Sequence, residues 1–378
     1  SPCQRFRITV LLSAIVKQKQ VYYLRVVDQW RIFIKRDIKC RVIRLSMNKK
    51  YDVLGIGNAL IDFSVEVTDD VIKEVGLSKG QSNLVSEETS KKIIEKIKYA
   101  NVKIVPAGSS ANTVMTLAML GAKTAFAGKI GDDEYGALYE RESRYTGTET
   151  KLKRCSTLTG HVIVLITPDA ERTCAVNLGA SADMKKHEID EEDIKASRLI
   201  HIEGYHLEQL NEVCTHAIQL AKKHNVKISL DVSDPGLVMR NKAMLLKTIQ
   251  DVDIVFANEA EAYALTGKEP EEALNELSQW CETVIVKLGE RGSLIYHNGE
   301  IMMVSAVKTK AVDTTGAGDA YAAGILYGII NNIPMQDAGK LASALGAKVV
   351  SQIGARLEKH TIAEVHQKHS LVYSLKRE

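Results

Sequence analysis

The sequence predicts an α/β fold: a three-layer α/β/α domain with a mostly parallel sheet, plus a small β-sheet lid. From residue 51 onward, short β-branched runs alternate with longer amphipathic stretches, which is typical of a parallel sheet covered by helices. One stretch breaks this alternation, because residues 159–167 and 172–177 are β-branched runs joined only by the turn-like Pro168-Asp169-Ala170-Glu171. Two such runs without a helix between them predict a β-hairpin.

Five apolar runs of strand length predict the central strands of the sheet. They span residues 53–57, 199–202, 228–231, 254–257 and 284–287. Five amphipathic stretches predict helices, at residues 112–120, 208–224, 242–251, 270–281 and 318–331. Their apolar residues recur at intervals of three and four, so one face of each helix can pack on the sheet. The lid is expected to form from segments near residues 63–68, 102–107 and 159–180.

The chain is predicted to contain one large domain, residues 47–378, preceded by a basic extension outside the fold, residues 1–46. The extension has eleven Lys and Arg but only Asp28 and Asp37, a net charge of +9, whereas the whole chain carries +3. Residues 47–378 therefore carry −6, and nucleic-acid binding through a basic face loses its main support. A targeting peptide, an upstream-translated segment and an added segment remain as interpretations of the extension.

The composition is that of a globular protein. Hydrophobic residues make up 45% of the chain and charged residues 26%, enough for a sizeable core. No apolar run approaches the roughly 18 residues that a membrane-spanning helix needs. The six cysteines form no Cys-x-x-Cys pair, which argues against a zinc site and favours a cytoplasmic location. We expect a monomer or homodimer with a small-molecule partner, no nucleic acid and no membrane.

The segment from Asp313 to Asp319 carries the strongest chemical signal, and a predicted helix follows it directly. The small residues Gly316, Ala317 and Gly318 let backbone N–H groups converge, and the helix dipole directs its positive end at the same point. This pattern predicts an anion hole. Asp319 within it can accept the proton of an attacking hydroxyl while the N–H groups stabilise a transferred phosphoryl group. The alternative is a Gly-rich turn whose Asp caps the helix.

This segment resembles the C-terminal signature of the ribokinase or pfkB carbohydrate kinase family, Asp-Thr-x-Gly-Ala-Gly-Asp. The similarity covers residues 51 to about 358. It implies a ribokinase-like fold, ATP-dependent phosphorylation of an alcohol, Mg²⁺ as a cofactor and Asp319 as the catalytic base. Neither a Gly-x-x-x-x-Gly-Lys-Ser/Thr segment nor a protein-kinase catalytic loop occurs in the sequence, which disfavours those kinase classes.

Two motifs predict the site of the phosphoryl acceptor. In the first, Gly108 and Ser109 permit close approach to the backbone, and Asn112 offers a donor and an acceptor to a sugar diol. A capped helix start is the alternative. In the second, the resemblance assigns Asp62, with Asn58 nearby, to two adjacent hydroxyls; a solvent-exposed carboxylate is the alternative. Residue 60 is leucine where a Gly-x-Gly-x-x-Gly motif needs its third glycine, which disfavours a dinucleotide-binding oxidoreductase.

Two further motifs are similar to the nucleotide and metal segments of the family. Asn258 and Glu261 match its Asn-x-x-Glu and can organise a hydrated Mg²⁺ and phosphates, although an acidic helix start is the alternative. Residues 286–293 resemble its nucleotide-binding turn. The resemblance assigns to the nucleotide site the residues Asn258, Lys287, Gly289, Gly292 and Thr314. The role of Lys287 is open, because many relatives have Thr there. Finally, the resemblance implies K⁺ as a further cation, matched by Asp313, Thr315 and Gly354.

Within the family, the chain looks most similar to the adenosine-kinase-like branch, through residues 57–62, 171–180 and 201–205. This similarity assigns Arg172 to the transferred phosphate; a surface arginine is the alternative. It also predicts an apolar purine slot, lined by Leu60, Val162, Cys174, Val176 and Tyr205. An apolar wall suits a purine better than a bare hexose. The expected reaction is therefore adenosine to AMP, with a ribose or fructose kinase as the alternative and a catalytically silent sugar-binding regulator less favoured.

Overall fold

The computed structural model describes residues 21–26, 29–34, 41–44, 49–169 and 171–375. The chain divides into two compact units, Ser1–Lys49 and Lys50–Glu378. In the first unit, three strands form an antiparallel sheet: β1 (Val21–Val26), β2 (Gln29–Ile34) and β3 (Arg41–Arg44). Much of the predicted extension lies outside the described residues, so its interpretation stays a prediction.

The described residues of the second unit form strands and helices in alternation. The strands are β4 (Tyr51–Ile56), β5 (Leu60–Glu66), β6 (Ser82–Leu84), β7 (Lys103–Ala107), β8 (Thr124–Gly131), β9 (Glu149–Cys155), β10 (Thr159–Ile166), β11 (Arg172–Gly179), β12 (Ser197–Glu203), β13 (Lys227–Asp231), β14 (Ile254–Asn258), β15 (Thr283–Lys287), β16 (Ser293–His297) and β17 (Glu300–Val304). The helices are α1 (Asp69–Glu74), α2 (Glu87–Ile97), α3 (Ser109–Met119), α4 (Glu134–Thr146), α5 (Glu191–Lys195), α6 (Gly204–Gln209), α7 (Asn211–Lys223), α8 (Pro235–Ile249), α9 (Glu259–Thr266), α10 (Pro270–Leu277), α11 (Ala317–Ile330), α12 (Met335–Val350) and α13 (Lys359–Leu375). None of the described helices is both long and apolar enough to cross a membrane.

The main sheet has nine strands among the described residues, in the order β17-β16-β15-β14-β13-β12-β4-β8-β9. The strands from β15 to β9 pair in parallel, and β16 and β17 continue the sheet antiparallel. One apolar cluster joins helices α7 to α10 to one face, and a second joins α3, α11 and α12 to the other. The three-layer architecture and the five predicted central strands are confirmed.

Three predicted helices differ from the observed ones. The predicted helix 270–281 ends earlier, at Leu277 of α10. The predicted helix 208–224 is two helices, α6 and α7, because the backbone of Leu210 leaves the helical region at φ −128° and ψ 52°. The predicted helix 242–251 begins earlier, as α8. Its first turn is fixed by Pro235 and by Asp234, whose side chain accepts a hydrogen bond from the backbone N–H of Leu237. A kink at Asn241 separates this start from the predicted part.

The lid is a five-stranded sheet in the order β6-β11-β10-β5-β7. The predicted hairpin is present as β10 and β11, which pair antiparallel with Ile166 opposite Arg172. Alternate residues of β10 face opposite sides of this sheet. Ile163 and Leu165 join Ile93 of α2 in an apolar cluster, whereas Val162 and Val164 line a cavity. One face of the lid is therefore covered by its own helix, and the other is free to contact a ligand.

Candidate active site

A cavity of about 1880 Å³ lies at the carboxyl ends of the parallel strands, next to the lid. Open α/β sheets bind their ligands at this edge. The volume exceeds the roughly 300–1,000 Å³ of a pocket for one small ligand, so two substrates have room side by side. Every predicted site residue lines the cavity except Asp313 and Gly354. Residues from five separate motifs are thus brought to one place.

The predicted anion hole is the start of α11. Gly316 is its N-cap residue, with φ 76° and no side chain to cap the helix. A Cβ atom at Gly316 would lie 2.6 Å from the backbone oxygen of Ala355, so both the space and the left-handed backbone require glycine. The positive end of the 14-residue helix opens into the cavity at Ala317 and Gly318.

Asp319 lies in the first turn of α11, and each of its carboxylate oxygens accepts a hydrogen bond from α3. Ser109 Oγ donates to Oδ1 at 2.6 Å, and Asn112 Nδ2 donates to Oδ2 at 2.9 Å. Burial raises the pKa of Asp319 to about 6, even though these two hydrogen bonds oppose the rise. The group is mostly ionised near neutral pH, but basic enough to take a proton from a hydroxyl during transfer.

Arg356 orients Asn112 from behind. Its Nε donates a hydrogen bond to Asn112 Oδ1 at 2.9 Å, which fixes the amide so that its NH₂ group points at Asp319. Arg356, Asn112 and Asp319 therefore form one chain of hydrogen bonds. Sequence reasoning placed Asn112 at the acceptor and found no role of this kind for Arg356.

The predicted acceptor end of the cavity is formed by the ends of β4 and β12 and the start of β5. Burial raises the pKa of Asp62 to about 7, although the guanidinium groups of Arg356 and Arg172 oppose the rise. Asn58 is 2% exposed, and its Oδ1 is 3.1 Å from His206 Nδ1 of α6. These side chains and Asn112 give the acceptor end its hydrogen-bonding groups.

The opposite wall of the cavity is apolar and belongs mainly to the lid. The predicted residues Leu60, Val162, Cys174 and Val176 lie on it, and Val164 and Leu178 extend it. Tyr205 of α6 also lines the cavity and is 39% exposed. The lid side thus supplies aliphatic surface, and the sheet side supplies polar groups.

Arg172 points from the lid to the loop that precedes the anion hole. Its Nη1 donates a hydrogen bond to Asp313 Oδ1. Asp313 is 6% exposed, and it also accepts backbone hydrogen bonds from Thr315 at 2.9 Å and Gly354 at 2.7 Å. Both carboxylate oxygens of Asp313 are therefore engaged. Asp313, Thr315 and Gly354, the three residues matched to K⁺, are thus joined by hydrogen bonds. Of these, Thr315 lines the cavity, whereas Asp313 and Gly354 do not.

The predicted nucleotide end of the cavity contains Lys287 and a turn that requires glycine. A Cβ atom at Gly292 would lie 1.9 Å from the backbone oxygen of Val304, and Gly292 has φ 102°. Lys287 Nζ donates to Asp231 Oδ2 at 2.9 Å, and it lies 3.0 Å from where a Cβ atom of Gly318 would stand. Burial lowers the pKa of Lys287, but the carboxylates of Asp231 and Glu261 raise it above its usual range. A charged ammonium group therefore lies against the anion hole.

Asn258 and Glu261 form the capping box of α9. Asn258 Oδ1 accepts from the backbone N–H of Glu261 at 2.8 Å, and both oxygens of Glu261 accept from Asn258. The alternative interpretation, in which these residues only start a helix, thus accounts for all of these hydrogen bonds. No group of three or more His, Cys, Asp or Glu within the described residues is arranged to hold a metal ion. The pair fits a hydrated Mg²⁺ held through water and does not fit direct coordination.

Three acidic or basic residues of the site were not found from the sequence: Glu203, Asp231 and Arg356. Glu203 and Asp231 are the last residues of β12 and β13, and both line the cavity. The rule that sites form at the carboxyl ends of parallel strands was sufficient to find them. Arg356 offers no comparable signal, because its partner Asn112 is 244 residues away in the chain.

The fold and this site together define an ATP-dependent kinase that acts on an alcohol group. The model of the pfkB family carbohydrate kinases matches residues 82–362. The chain belongs to this family, and the predicted resemblance is confirmed. Family membership implies ATP as the phosphoryl donor with Mg²⁺.

Individual relatives include both sugar kinases and an adenosine kinase. The 5-dehydro-2-deoxygluconokinase of Bacillus licheniformis is 29% identical over 336 residues, which cover 84% of this chain and 96% of that protein. A probable sugar kinase from Rhizobium etli has a TM-score of 0.78 and 28% identity, covering 85% of this chain and 99% of its own. The adenosine kinase from Sinorhizobium meliloti has a TM-score of 0.77 and 30% identity, covering 84% and 99%. The sugar-kinase alternative is thus better supported than the predicted adenosine kinase.

Proposed function

We propose that this protein transfers the γ-phosphoryl group of ATP to a primary hydroxyl of a small sugar or sugar acid. The observation that carries the proposal is the position of Asp319. It lies at the N-terminus of α11, in the same cavity as Asp62, Asn58 and Asn112. The relatives named 5-dehydro-2-deoxygluconokinase support a sugar-acid acceptor as the first candidate.

In the proposed mechanism, the acceptor hydroxyl takes the place of Ser109 Oγ at Asp319 Oδ1. Asp319 accepts its proton as the hydroxyl oxygen attacks the γ-phosphorus of ATP, while Asp319 Oδ2 stays bound to Asn112. The bond between that phosphorus and the bridging β,γ-oxygen breaks, and ADP leaves. The backbone of Gly316, Ala317 and Gly318 and the ammonium of Lys287 stabilise the negative charge of the transferred group. When bound, Mg²⁺ neutralises phosphate charge, and Asn258 and Glu261 would hold it through water.

Arg172 is proposed to leave Asp313 and contact the transferred group when both substrates are present. Arg172 is far from the anion hole in the sequence, but its ion pair with Asp313 already holds the side chain beside residues 313–315. Its Nε is buried without a hydrogen-bond partner in the described structure, so a donor remains for a phosphoryl oxygen. K⁺ activation through the same loop remains part of the proposal, and replacing K⁺ by Na⁺ in the assay tests it.

A nucleoside is the second candidate acceptor, because one observation favours it. The aliphatic wall of the lid includes Val162, Val176 and Leu178. It offers a bare sugar few favourable contacts but can bury the apolar surface of a purine. The adenosine kinase from Sinorhizobium meliloti supports this candidate, whose reaction would convert adenosine to AMP. A catalytically silent sugar-binding regulator is disfavoured, because such a protein has no need of an aspartate at position 319.

The test is a coupled ADP-release assay with ATP, Mg²⁺ and a panel of acceptors: 5-dehydro-2-deoxygluconate, ribose, fructose, adenosine and inosine. We expect the highest kcat/KM with a sugar or sugar acid, and a kcat lower by about 10²- to 10⁴-fold in Asp319→Asn. Adenosine as the best acceptor would replace the sugar assignment by the second candidate. A wild-type protein that binds acceptors but releases no ADP with any of them would contradict the kinase function.

A further inference from the structure

Glu203 is a buried carboxylate that the phosphoryl-transfer reaction does not explain. It is the last residue of β12 and is 1% exposed. Both of its oxygens accept backbone hydrogen bonds: Oε1 from the N–H of Asn58 at 2.9 Å, and Oε2 from the N–H of Ser110 at 2.7 Å. Burial of a carboxylate against neutral partners is expensive for a fold. We therefore expect this buried carboxylate to have a function that offsets its cost to stability.

The two backbone groups that Glu203 joins belong to the two acceptor segments. Asn58 lies between β4 and β5, four residues before Asp62. Ser110 lies in the first turn of α3, between Ser109 and Asn112. Both segments line the cavity. Glu203 thus adds a side-chain bridge between the two segments, beside the pairing of β5 with β7 and the hydrogen bond from Ser110 Oγ to the backbone oxygen of His201.

Glu203 also replaces a missing helix cap. The N-cap residue of α3 is Gly108, with φ 115°, and it has no side chain to accept a hydrogen bond from the first turn. Helix starts leave backbone N–H groups unsatisfied, and a side-chain oxygen usually accepts one of them. Here the oxygen comes from β12 instead of the N-cap residue. The start of α3 is therefore fixed to the sheet and not only to its own loop.

Gly57 shows how closely Glu203 fits between these segments. A Cβ atom at Gly57 would lie 2.8 Å from Glu203 Oε2 and 2.9 Å from Ser110 Cβ. Any larger residue would displace the carboxylate or the helix start. The glycine that follows β4 is thus explained by the packing of Glu203, without a dinucleotide.

We propose that Glu203 is a positioning residue: it clamps the Asn58–Asp62 segment to the start of α3 and so sets the geometry of acceptor binding. It acts through the two backbone amides and does not touch the reacting atoms. The consequence for acceptor affinity depends on the proposed kinase function, but the clamp itself does not. ATP binding should not depend on it, because the nucleotide end of the cavity is built from β14, β15 and the turn after β15.

The kinetic test uses Glu203→Gln, assayed with whichever acceptor the wild type phosphorylates best. Glutamine keeps the size but places an NH₂ group against a backbone N–H, so one of the two hydrogen bonds is lost. We expect the KM for the acceptor to rise about tenfold and the KM for ATP to change less than about twofold. An unchanged acceptor KM, or an equal rise of both KM values, would overturn the proposal.

Asp253→Asn is the matched control. Asp253 precedes β14 at the opposite end of the sheet, its Oδ2 accepts from the backbone N–H of Ile228 at 2.8 Å, and burial also raises its pKa. The same chemical change there should leave both KM values within about twofold of wild type. An acceptor defect as large in this control as in Glu203→Gln would mean that general loosening of the sheet causes it, and the clamp would be refuted.

Hydrogen exchange without any acceptor separates this proposal from the kinase function. Glu203→Gln should exchange its backbone amides faster than wild type at residues 57–60 and 108–112, while the segment around Gly289 keeps the wild-type rate. Unchanged exchange at both acceptor segments would refute the clamp, even if the enzyme phosphorylates a sugar. A wild-type protein that binds acceptors of the panel but releases no ADP would refute the kinase function and leave the exchange result as the test of the clamp.

Discussion

Asp319 is held by the same residues that the sequence assigned to the acceptor. Ser109 and Asn112 each donate one hydrogen bond to it, so both oxygens are satisfied before any substrate binds. If both hydrogen bonds were kept during the reaction, the carboxylate of Asp319 would be a poor proton acceptor. The Ser109 hydroxyl belongs to a side chain that can rotate away, whereas Asn112 is fixed by Arg356. In the proposed mechanism the acceptor hydroxyl therefore has one defined place to bind, at Oδ1.

Replacement of the base tests its role most directly. Asp319→Asn should lower kcat by about 10²- to 10⁴-fold, because the amide cannot accept the proton of the hydroxyl. ATP affinity and melting temperature should stay close to those of wild type, since the amide has the same size. The measurements are steady-state kinetics, nucleotide binding by calorimetry and thermal denaturation. Activity within about threefold of wild type would remove Asp319 from the catalytic role.

The pH dependence of kcat tests the link from Arg356 through Asn112. The pKa of Asp319 is raised to about 6. A base must be ionised, so wild-type kcat should fall as the pH drops through about 6. In Arg356→Met, the amide of Asn112 loses its fixed orientation, and its lowering effect on the pKa of Asp319 weakens. The acidic fall of kcat should then begin at higher pH, and kcat itself should drop about tenfold.

Gln352→Ala is the control for damage to the loop. Gln352 Nε2 donates to the backbone oxygen of Arg356 at 2.6 Å, so this variant disturbs the same loop without touching Asn112. Its kcat should fall at the same pH as in wild type. A shift as large as that of Arg356→Met would assign the effect to the loop backbone. Arg356→Lys, which keeps the charge and one donor, should recover part of the shift.

The residues of the site could be predicted from sequence where a motif contains them, and not where contacts cross the chain. Asp319, Asp62 and Gly292 lie in short runs whose glycines and carboxylates have local physical reasons. The hydrogen bond between Asn112 and Asp319 joins residues 207 positions apart, and the one between Glu203 and Asn58 spans 145. Such pairs depend on how parallel strands are ordered in the sheet, which a single sequence does not state.

At the level of elements, the small residues of α11 decide how closely it packs on α12. A Cβ atom at Gly324 would lie 2.4 Å from Ala342 Cα, a backbone contact that cannot rotate away. Gly324→Ala should therefore destabilise the protein by about 1–3 kcal/mol, although alanine favours helices by about 1 kcal/mol over glycine. Urea unfolding gives the free energy of unfolding. The kinase rate should also fall, since α11 begins at the anion hole.

The same exchange at Gly346 is the matched control, because this glycine lies in α12 with more space. Its nearest neighbour would be the backbone oxygen of Ala317, 3.6 Å from the added Cβ atom. There we expect no loss of stability and a gain of up to about 1 kcal/mol from helix propensity. Equal effects at the two positions would mean that propensity, and not helix contact, governs these glycines.

Length alone did not decide which elements were predictable from the sequence. The central strands and the hairpin β10–β11 were predicted, whereas the long elements α4, α12, α13 and β8 were not among the predictions. The central strands are continuous apolar runs, and the hairpin β10–β11 has two long ones. Strand β6 was missed because three residues are too few to show alternation. The start of α8 was also missed, although Asp234-Pro235 is a helix-start pair, since Arg240, Asn241 and Lys242 interrupt the apolar periodicity.

In the molecule as a whole, a polar sheet edge and an apolar lid line the same cavity. This arrangement determines which acceptors the protein can distinguish. The side chains proposed to bind hydroxyls come from the loop between β4 and β5, from β5 and from α3, whereas the aliphatic wall comes mainly from β10 and β11. A sugar uses only the first group, and a nucleoside uses both. The order of motifs was sufficient to predict the family. The choice between these acceptors was not predictable, because it depends on the distance and angle between the lid and the sheet.

Two substitutions, one on each side, separate these acceptors. Asp62→Ala removes a carboxylate that can accept from two adjacent hydroxyls, so kcat/KM should fall about 10²-fold for every acceptor with a sugar diol. Val176→Asp places a charge on the lid wall, which should weaken adenosine strongly because a purine would have to desolvate it. A free sugar or sugar acid, bound at the sheet edge, should change less than about threefold, and Val176→Ala controls for the loss of volume. The measurement is kcat/KM for 5-dehydro-2-deoxygluconate, ribose, fructose, adenosine and inosine with wild type and the three variants. If the wild type prefers adenosine by about tenfold or more, and Val176→Asp removes that preference, the lid wall is a purine site and the sugar assignment is wrong, while the role of Asp319 is unaffected.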